Sequence, residues 1–310
     1  MRAKTPYARD FIGYGPNPPN PHWPGEARIA INFVINYEEG AEHSILNGDK
    51  HSEGLMTEVP GHATFAAREG VRNLLTESTY DYGSRAGIWR ILRLFDRFDV
   101  KCTVYAVGQA MELNPVAAKA MADGGHEIAT HGYRWIDYSD FSEAEEKRHM
   151  TLAIEAIRKT TGDRPYGWFA GRGSLNSRRL AAEEGGFLYD SDSYADDLPY
   201  WVEEAGHPVL VIPYSLEVND MRFTIAGGFT AGDQFFNTMK DTFDVLYEEG
   251  ATAPKMMSVG LHPRVVGRPG RLAALKRFIE YARGHEQVWV CRRDEIARHW
   301  RKYFPYQKRQ

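Results

Sequence analysis

Side chains able to do acid–base chemistry cluster at a few places in this 310-residue sequence. An adjacent pair of glutamates, Glu38 and Glu39, follows an apolar run, and His131 and His262 lie just after other such runs. Carboxylates and imidazoles are the groups that most often activate water or protonate a leaving atom in hydrolysis. If the fold brings these four residues together, they form a hydrolytic acid–base site.

Residues suited to holding a substrate occupy comparable positions. The guanidinium of Arg172 could clamp carbonyl oxygens, and the carboxylate of Asp192 could accept N–H groups. Trp135 could wall a pocket, and the side-chain amides of Asn219 and Asn36 add donors and acceptors. The plainer interpretation is that such residues are solvated loop charges or structural polar groups. Their positions in the fold decide between this interpretation and substrate binding.

Apolar runs alternate with amphipathic segments along most of the chain. The pattern predicts strands over 29–35, 101–107, 127–130, 166–170, 187–189, 209–214, 256–261 and 288–291. It predicts helices over 85–98, 114–123, 177–184, 233–249, 271–282 and 294–300, and one that starts at a Ser142–Glu145 capping box. This alternation indicates an α/β fold with a parallel sheet, closed into a (β/α) barrel of seven or eight strands. Because the carboxyl ends of barrel strands converge, we expect the candidate residues at one rim.

The whole chain, residues 1–310, is predicted to be one barrel domain. A proline-rich stretch at 1–26 is predicted to be an N-terminal arm. Residues 39–82 are weakly periodic and long enough to cover an active site.

Composition narrows the class of protein. A net charge of −4 gives no electrostatic reason to expect nucleic acid or an anionic membrane as a partner. The start of the chain lacks the apolar core of a secretory signal, and no run is long enough to span a membrane. Cys102 and Cys291 are expected to be buried free thiols, which suits a reducing compartment. We therefore expect a cytoplasmic protein that acts on a small molecule.

Several motifs carry a family resemblance. The series Asn36–Gly40, Gly125–His131, Arg164-Pro165 and Leu261-His262 resembles the motifs of the polysaccharide deacetylase (NodB-homology) superfamily. Longer strings such as HGYRWIDY and LHPRVVGRPGR are similar to the metal-independent allantoinases of purine catabolism within that superfamily, and the similarity extends from about residue 6 to residue 300. The resemblance implies a polysaccharide-deacetylase-like barrel, hydrolysis of the hydantoin ring of allantoin to allantoate, and a homo-oligomer, either a dimer or a tetramer.

The departures from the parent deacetylases concern their metal. Those enzymes hold a divalent ion with one Asp of an acidic pair and two His spaced four apart, whereas Glu38-Glu39 and Trp135 occupy these positions here. An indole nitrogen only donates, and one carboxylate with one His falls short of three ligands. We therefore expect no cofactor, with a metal site rebuilt from His126 or Asp192 as the alternative. Glu38 or Glu39 would then be the general base, and His262 or His131 would stabilise charge or protonate the leaving nitrogen.

Other functions fit parts of the pattern. A hydrolase of other cyclic imides or ureides would need the same base with a different pocket wall. A metal-dependent carbohydrate N-deacetylase would need a third ligand, and a catalytically silent glycan-binding relative would need mainly aromatics and amides. Away from the rim, His126 is expected to be structural, and Arg264, Arg268 and Arg271 are expected to pair surface carboxylates across subunits.

Overall fold

The structure, a computed structural model, describes residues 9–55 and 68–308. Its longest strands are β1 Ile29–Tyr37 and, near the end of the chain, β8 Lys255–Leu261. The strands between and after them are β2 Thr103–Ala106, β3 Glu127–Thr130, β4 Gly167–Trp168, β5 Tyr189–Asp190, β6 Tyr200–Glu204, β7 His207–Val211 and β9 Val288–Val290.

Helices follow most of these strands. The first two, α1 Leu74–Tyr82 and α2 Ile88–Arg97, are joined without a break by the π-helical turn Gly83–Gly87. The others are α3 Gly108–Leu113, α4 Pro115–Asp123, α5 Glu143–Thr161, α6 Ser177–Glu184, α7 Gly232–Glu249, α8 Pro269–Arg283 and α9 Arg293–Tyr303. The Ser142 side chain caps α5, and Glu145 reaches back to complete the predicted capping box.

The strands form one sheet in the order β6-β7-β5-β4-β3-β2-β1-β8. All pairings are parallel except the hairpin β6–β7. Strand β8 runs along one edge of β1, while β2 and β9 share the other edge, at its C-terminal and N-terminal halves. Within the described ranges the path ends at β6 and β8. The predicted single-domain barrel of the polysaccharide-deacetylase type is confirmed, in the form of an open half-barrel.

Strand β1 separates two environments because its side chains alternate between the faces of the sheet. Ile29, Phe33 and Tyr37 pack with the helices in the main hydrophobic core. Val34 points the other way and packs inside the half-barrel, in a small cluster with Tyr105, Ala129, Phe169 and Tyr214. All nine residues of β1 are buried, which explains why the strand is apolar on both faces apart from Asn32 and Asn36.

Two charged residues lie deep inside the half-barrel, and we call them the interior cluster: Arg293 and Glu127. Arg293 is fully buried and donates to Asn32, Ser258 and Ser191 and to the carbonyls of Ile212 and Pro213. Glu127 accepts from Thr103, from Tyr189 and from the backbone N–H of Asp294. Both charges are thus held by neutral groups from strands and strand ends.

The structure departs from the predicted elements in three places, and one of them is helix α3 Gly108–Leu113, which the pattern does not predict. The helix expected over 85–98 begins at Leu74, so its first part lies inside the segment predicted to be an active-site cover. The hairpin β6–β7 was missed as a pair: residues 209–214 were predicted as a strand, but β7 spans His207–Val211 and has β6 as an antiparallel partner. Its turn uses Ala205 and Gly206, both at positive φ, and this pair is a weaker hairpin signal than Asn-Gly.

The predicted arm at 1–26 and the predicted cover at 39–82 fall partly outside the described residues, which exclude 1–8 and 56–67. Their roles stay predictions. Among the residues that are described, no helix is both long and apolar enough to cross a membrane.

Candidate active site

Glu38 stands at the centre of the candidate site, one residue beyond the end of β1. Its Oε1 lies 3.3 Å from Nε2 of His131 and 3.5 Å from Nε2 of His262. Its Oε2 accepts a 2.6 Å bond from the guanidinium of Arg264. With Glu39 these residues form the site cluster: Glu38, Glu39, His131, His262 and Arg264. The convergence predicted for Glu38, His131 and His262 at the strand ends is what the structure has.

The two imidazoles are held by different partners. Nδ1 of His131 lies 3.0 Å from the carbonyl oxygen of Phe169, at the end of β4. Nδ1 of His262 lies 2.6 Å from Oδ1 of Asp220, whose other oxygen accepts from the backbone N–H of His262. A carbonyl oxygen is a neutral acceptor and a carboxylate a charged one, so the partner of His262 stabilises an imidazolium more strongly.

Asp220 gives His262 its protonation state. Burial alone would lower the pKa of His262, but the charges of Asp220 and Glu38 and the bonds to them raise it to about 9. At neutral pH the ring is therefore cationic and turns an Nε2–H toward Glu38. Asp220 is not among the site residues predicted from the sequence, although the neighbouring Asn219 is.

Arg264 corrects an expectation of the sequence analysis. It was predicted to pair surface carboxylates across subunits, yet it is fully buried and contacts both glutamates of the site cluster. Its guanidinium carbon lies 4.2 Å from the ring centre of Tyr80 and 5.3 Å from that of Trp135. The available signal was its place two residues after His262, at the same strand end.

The pKa values of the two adjacent glutamates are shifted in opposite directions. Burial alone would raise the pKa of Glu38, but Arg264, His262 and the hydrogen bonds from both histidines hold it well below its usual range. Burial raises the pKa of Glu39 to about 7, against the charge of Arg264 and helped by the like charge of Glu38. Glu39 packs against Gly83, where any side chain would collide with it, and its Oε2 accepts from the backbone N–H of Glu38.

Trp135 and Arg172 lie outside the site cluster, one layer further from Glu38. The guanidinium carbon of Arg172 is 3.6 Å from the ring centre of Trp135, and its Nη1 is 3.0 Å from Oε2 of Glu53. Trp135 is thus stacked between two guanidinium groups, those of Arg172 and Arg264. Its predicted role as a wall of the substrate pocket stays a prediction. Arg172 is ion-paired with Glu53, which belongs to the segment predicted to be a cover.

The other residues predicted to bind substrate form hydrogen bonds within the protein. Both oxygens of Asp192 accept backbone N–H groups, from Ala170 at 2.9 Å and from Gly171 at 2.8 Å. The side-chain amides of Asn36 and Asn219 both donate to the hydroxyl of Tyr214, and both residues are buried. Their predicted contact with a substrate therefore stays a prediction.

The site cluster is sealed in this conformation. None of its five residues is more than 3% exposed. The gaps between Oε1 of Glu38 and the two Nε2 atoms are also too short to hold a water molecule. A substrate and a water can therefore enter only if the surrounding side chains separate.

The residues present do not fit the metal of the parent deacetylases. Within residues 9–55 and 68–308, no group of three or more His, Cys, Asp or Glu side chains is arranged to hold an ion. Arg264 occupies Oε2 of Glu38, and Trp135 stands where the second histidine would be. Neither of the alternative ligands lies in the site: His126 contacts Cys102, and the oxygens of Asp192 face backbone amides.

This combination of half-barrel and strand-end site has counterparts among known proteins. The family model for polysaccharide deacetylase matches residues 75–187. A Schizosaccharomyces pombe protein named "putative polysaccharide deacetylase" is 43% identical over 96% of this chain and 98% of its own length. The chain therefore belongs to the polysaccharide deacetylase family of deacetylase-type hydrolases, as the motif series predicted.

Two solved structures are closely similar to this one. The first is a probable polysaccharide deacetylase from Pseudomonas aeruginosa PAO1, with a TM-score of 0.94 and 58% identity. The second is PuuE allantoinase, also with a TM-score of 0.94 and 58% identity. They cover 97% and 98% of this chain, respectively, and each is covered over its whole length. The two structures, one named a deacetylase and the other an allantoinase, are therefore equally similar to this one.

Proposed function

We propose that this protein hydrolyses an amide bond of a small cyclic ureide, and that the substrate is allantoin, opened to allantoate. The chemistry rests on one observation: two imidazole Nε2 atoms and a guanidinium converge on the carboxylate of Glu38. The choice of allantoin is supported by the 58% identity to PuuE allantoinase over nearly the whole chain.

Each group has a step that matches its environment. Glu38, ionised by its neighbours, takes a proton from water as the water oxygen attacks the ring carbonyl carbon. Arg264 is the permanent cation beside the oxyanion that forms. As the ring C–N bond breaks, His262 gives its Nε2 proton to the leaving nitrogen. The proton held by Glu38 then passes to Nε2 of His262, and the new carboxylic acid releases its own proton to solvent.

The position of Glu38 within the pair favours it over Glu39 as the base. Glu38 faces both imidazoles, whereas Glu39 contacts Arg264 and the backbone of Glu38. The contacts that keep Glu38 ionised also reduce its proton affinity. Entry of water and substrate separates Oε1 from the imidazoles, which restores basicity when the base is needed.

Removal of an acetyl group from an amino sugar is the second candidate, favoured by the names of the S. pombe and P. aeruginosa relatives. The same base and acid would serve, because this reaction is also an amide hydrolysis. The closed site does not separate the two candidates, because it must open for either substrate. Hydrolysis of cyclic imides other than ureides would need the same catalytic groups, and the site would differ only in the residues that line the pocket.

A turnover screen with the purified full chain separates these candidates. The substrates are both enantiomers of allantoin, hydantoin, dihydrouracil, succinimide and acetylated chito-oligomers. We expect allantoin to be fastest, and hydantoin to be poor because it leaves the polar groups that bind the ureido arm unpaired. If succinimide or hydantoin is turned over faster than allantoin, the proposed substrate class changes from ureides to cyclic imides. If acetate is released from chito-oligomers, the activity is that of a deacetylase.

A further inference from the structure

The carboxylate of Asp192 is aimed at the backbone of the loop after β4, which lies against His131. Its two oxygens accept from the consecutive N–H groups of Ala170 and Gly171, just beyond β4. The residue before them, Phe169, offers its carbonyl oxygen to Nδ1 of His131. The peptide group between Phe169 and Ala170 thus donates its N–H to Asp192 and offers its carbonyl oxygen to an imidazole of the site cluster.

Phe169 holds His131 with its ring as well. The rings of Phe169 and His131 stack with centres 4.9 Å apart and planes at 25°. The ring of Phe169 also stacks on that of Tyr105, with centres 4.6 Å apart. At Gly171, which has φ +69°, an added Cβ would lie 2.7 Å from Cε1 of His131. The loop therefore fits closely around the imidazole, and a small shift of its backbone moves the ring.

The carbonyl of Phe169 also decides which nitrogen of His131 carries the proton. A carbonyl oxygen only accepts, so Nδ1 must be the donor. In the closed site Nε2 also faces an acceptor, Oε1 of Glu38 at 3.3 Å. Once water and substrate separate these two atoms, the carbonyl of Phe169 keeps the proton of a neutral ring on Nδ1 and leaves the lone pair on Nε2. Loss of the Phe169 contact would let the proton move to Nε2 and would turn a donor, instead of a lone pair, toward the water that Glu38 activates.

We propose that Asp192 is a positioning residue: it anchors the amides of Ala170 and Gly171 and thereby fixes the ring orientation and the tautomer of His131. This role rests on the proposed hydrolysis only for its effect on rate. Asp192 is itself fixed from behind, since its carbonyl accepts from Arg178 and its N–H donates to Asp190. These contacts account for the position of Asp192 near the site without any contact to the substrate.

The test uses two variants that disturb His131 by different routes. Asp192→Ala removes both anchors, and Gly171→Ala inserts a methyl group against the ring while Asp192 stays in place. Asp196→Ala is the matched control, because Asp196 also accepts a nearby backbone N–H, that of Leu198, in the same loop. Asp192→Asn is the conservative variant and retains an acceptor for one of the two amides.

Two measurements on the full chain read out the role. In ¹⁵N-histidine NMR, with the His131 signal assigned by its loss in His131→Gln, wild type and Asp196→Ala should show protonated Nδ1. Asp192→Ala and Gly171→Ala should show a mixture of tautomers, with Asp192→Asn between. In steady-state kinetics with allantoin, kcat should fall roughly tenfold to a hundredfold in both disturbed variants, with KM within about threefold of wild type.

The outcomes separate this proposal from the proposed function. If Asp192→Ala raises KM, leaves kcat unchanged and leaves the His131 signal as in wild type, Asp192 is a substrate ligand and the proposal is overturned. An unchanged NMR signal in Gly171→Ala as well would show that the loop does not set the tautomer. If wild type does not turn over allantoin, the proposed function fails, while the NMR comparison still decides the role of Asp192. Should Asp192→Ala not fold, Asp192→Asn and Gly171→Ala carry the test.

Discussion

Two clusters of buried charge lie in the same half-barrel and are built on opposite principles. In the interior cluster, Arg293 and Glu127 bond to amides, hydroxyls and backbone groups. In the site cluster, ionisable groups face one another: Glu38 meets two imidazoles and the guanidinium of Arg264. Both clusters exclude solvent, so burial alone does not distinguish them.

The difference lies in what each charge can do next. Arg293, held by neutral partners of fixed geometry, is a structural element. Glu127 is an intermediate case, because burial and the nearby charge of Asp294 raise its pKa to about 7 while its hydrogen bonds from Thr103, Asp294 and Tyr189 lower it. Charges that face other titratable groups shift one another's pKa values, and such shifts are typical of functional sites. The pKa of His262 is raised to about 9 and that of Glu38 is held well below its usual range. The comparison therefore assigns stability mainly to the interior cluster and chemistry to the site cluster.

The largest expected effect is on stability, at Arg293. Arg293→Met leaves the side chains of Asn32, Ser258 and Ser191 and two carbonyls without their donor, and should lower the free energy of unfolding by about 3 kcal/mol or more. Urea unfolding followed by circular dichroism measures it. The neighbouring half-buried Arg292 is the control, and Arg292→Met should cost less than about 1 kcal/mol. An unchanged midpoint for Arg293→Met would remove the contrast between the clusters.

Next in size is the loss of turnover at Glu38. Glu38→Gln keeps the shape but accepts no proton, and should reduce kcat by about a hundredfold or more. Its effect on urea unfolding should stay below that of Arg293→Met, because Arg264 keeps Glu39 and His262 keeps Asp220. Glu39→Gln is the matched variant and should lose less activity. A greater loss in Glu39→Gln would make Glu39 the base.

A smaller effect concerns pH dependence, through Asp220. His262 must be protonated to act as an acid, so activity should fall as the pH rises through its pKa of about 9. Asp220→Asn removes the largest raising influence and moves this fall toward the ordinary histidine range. At about pH 8 the variant should be roughly tenfold or more below wild type, and the gap should close as the pH is lowered. A profile of kcat from about pH 5.5 to 10 measures the shift, and superimposable profiles would exclude His262 as the acid.

No change is expected from chelation. Because Arg264 and not an ion neutralises Oε2 of Glu38, dialysis against a chelator should leave kcat within the error of the untreated protein. Elemental analysis before and after dialysis provides the metal content. One zinc per chain, with activity lost on its removal and restored on its return, would mean that the site cluster opens to bind an ion.

Much of the architecture could be predicted from local patterns. Helix α6 has the bounds that its periodicity indicates, β3 likewise, and α5 begins at its capping box. The rule that strand ends converge was enough to bring Glu38, His131 and His262 together, because each follows a recognisable apolar run. Length, hydrophobic period and capping are properties of neighbouring residues, so the sequence by itself determined them.

The partners of these groups were decided only by the tertiary structure. The burial of Arg264 against two glutamates depends on segments 225 residues apart, and its sequence surroundings suggest a surface charge. Asp192 and Asp220 both accept backbone N–H groups, yet only Asp220 also contacts an imidazole. Hydrogen-bond partners depend on distances of a few tenths of an ångström between remote strands, and no local pattern encodes them. The sequence therefore determined which chemical groups reach the rim, and the packing of the strands decided which of them meet.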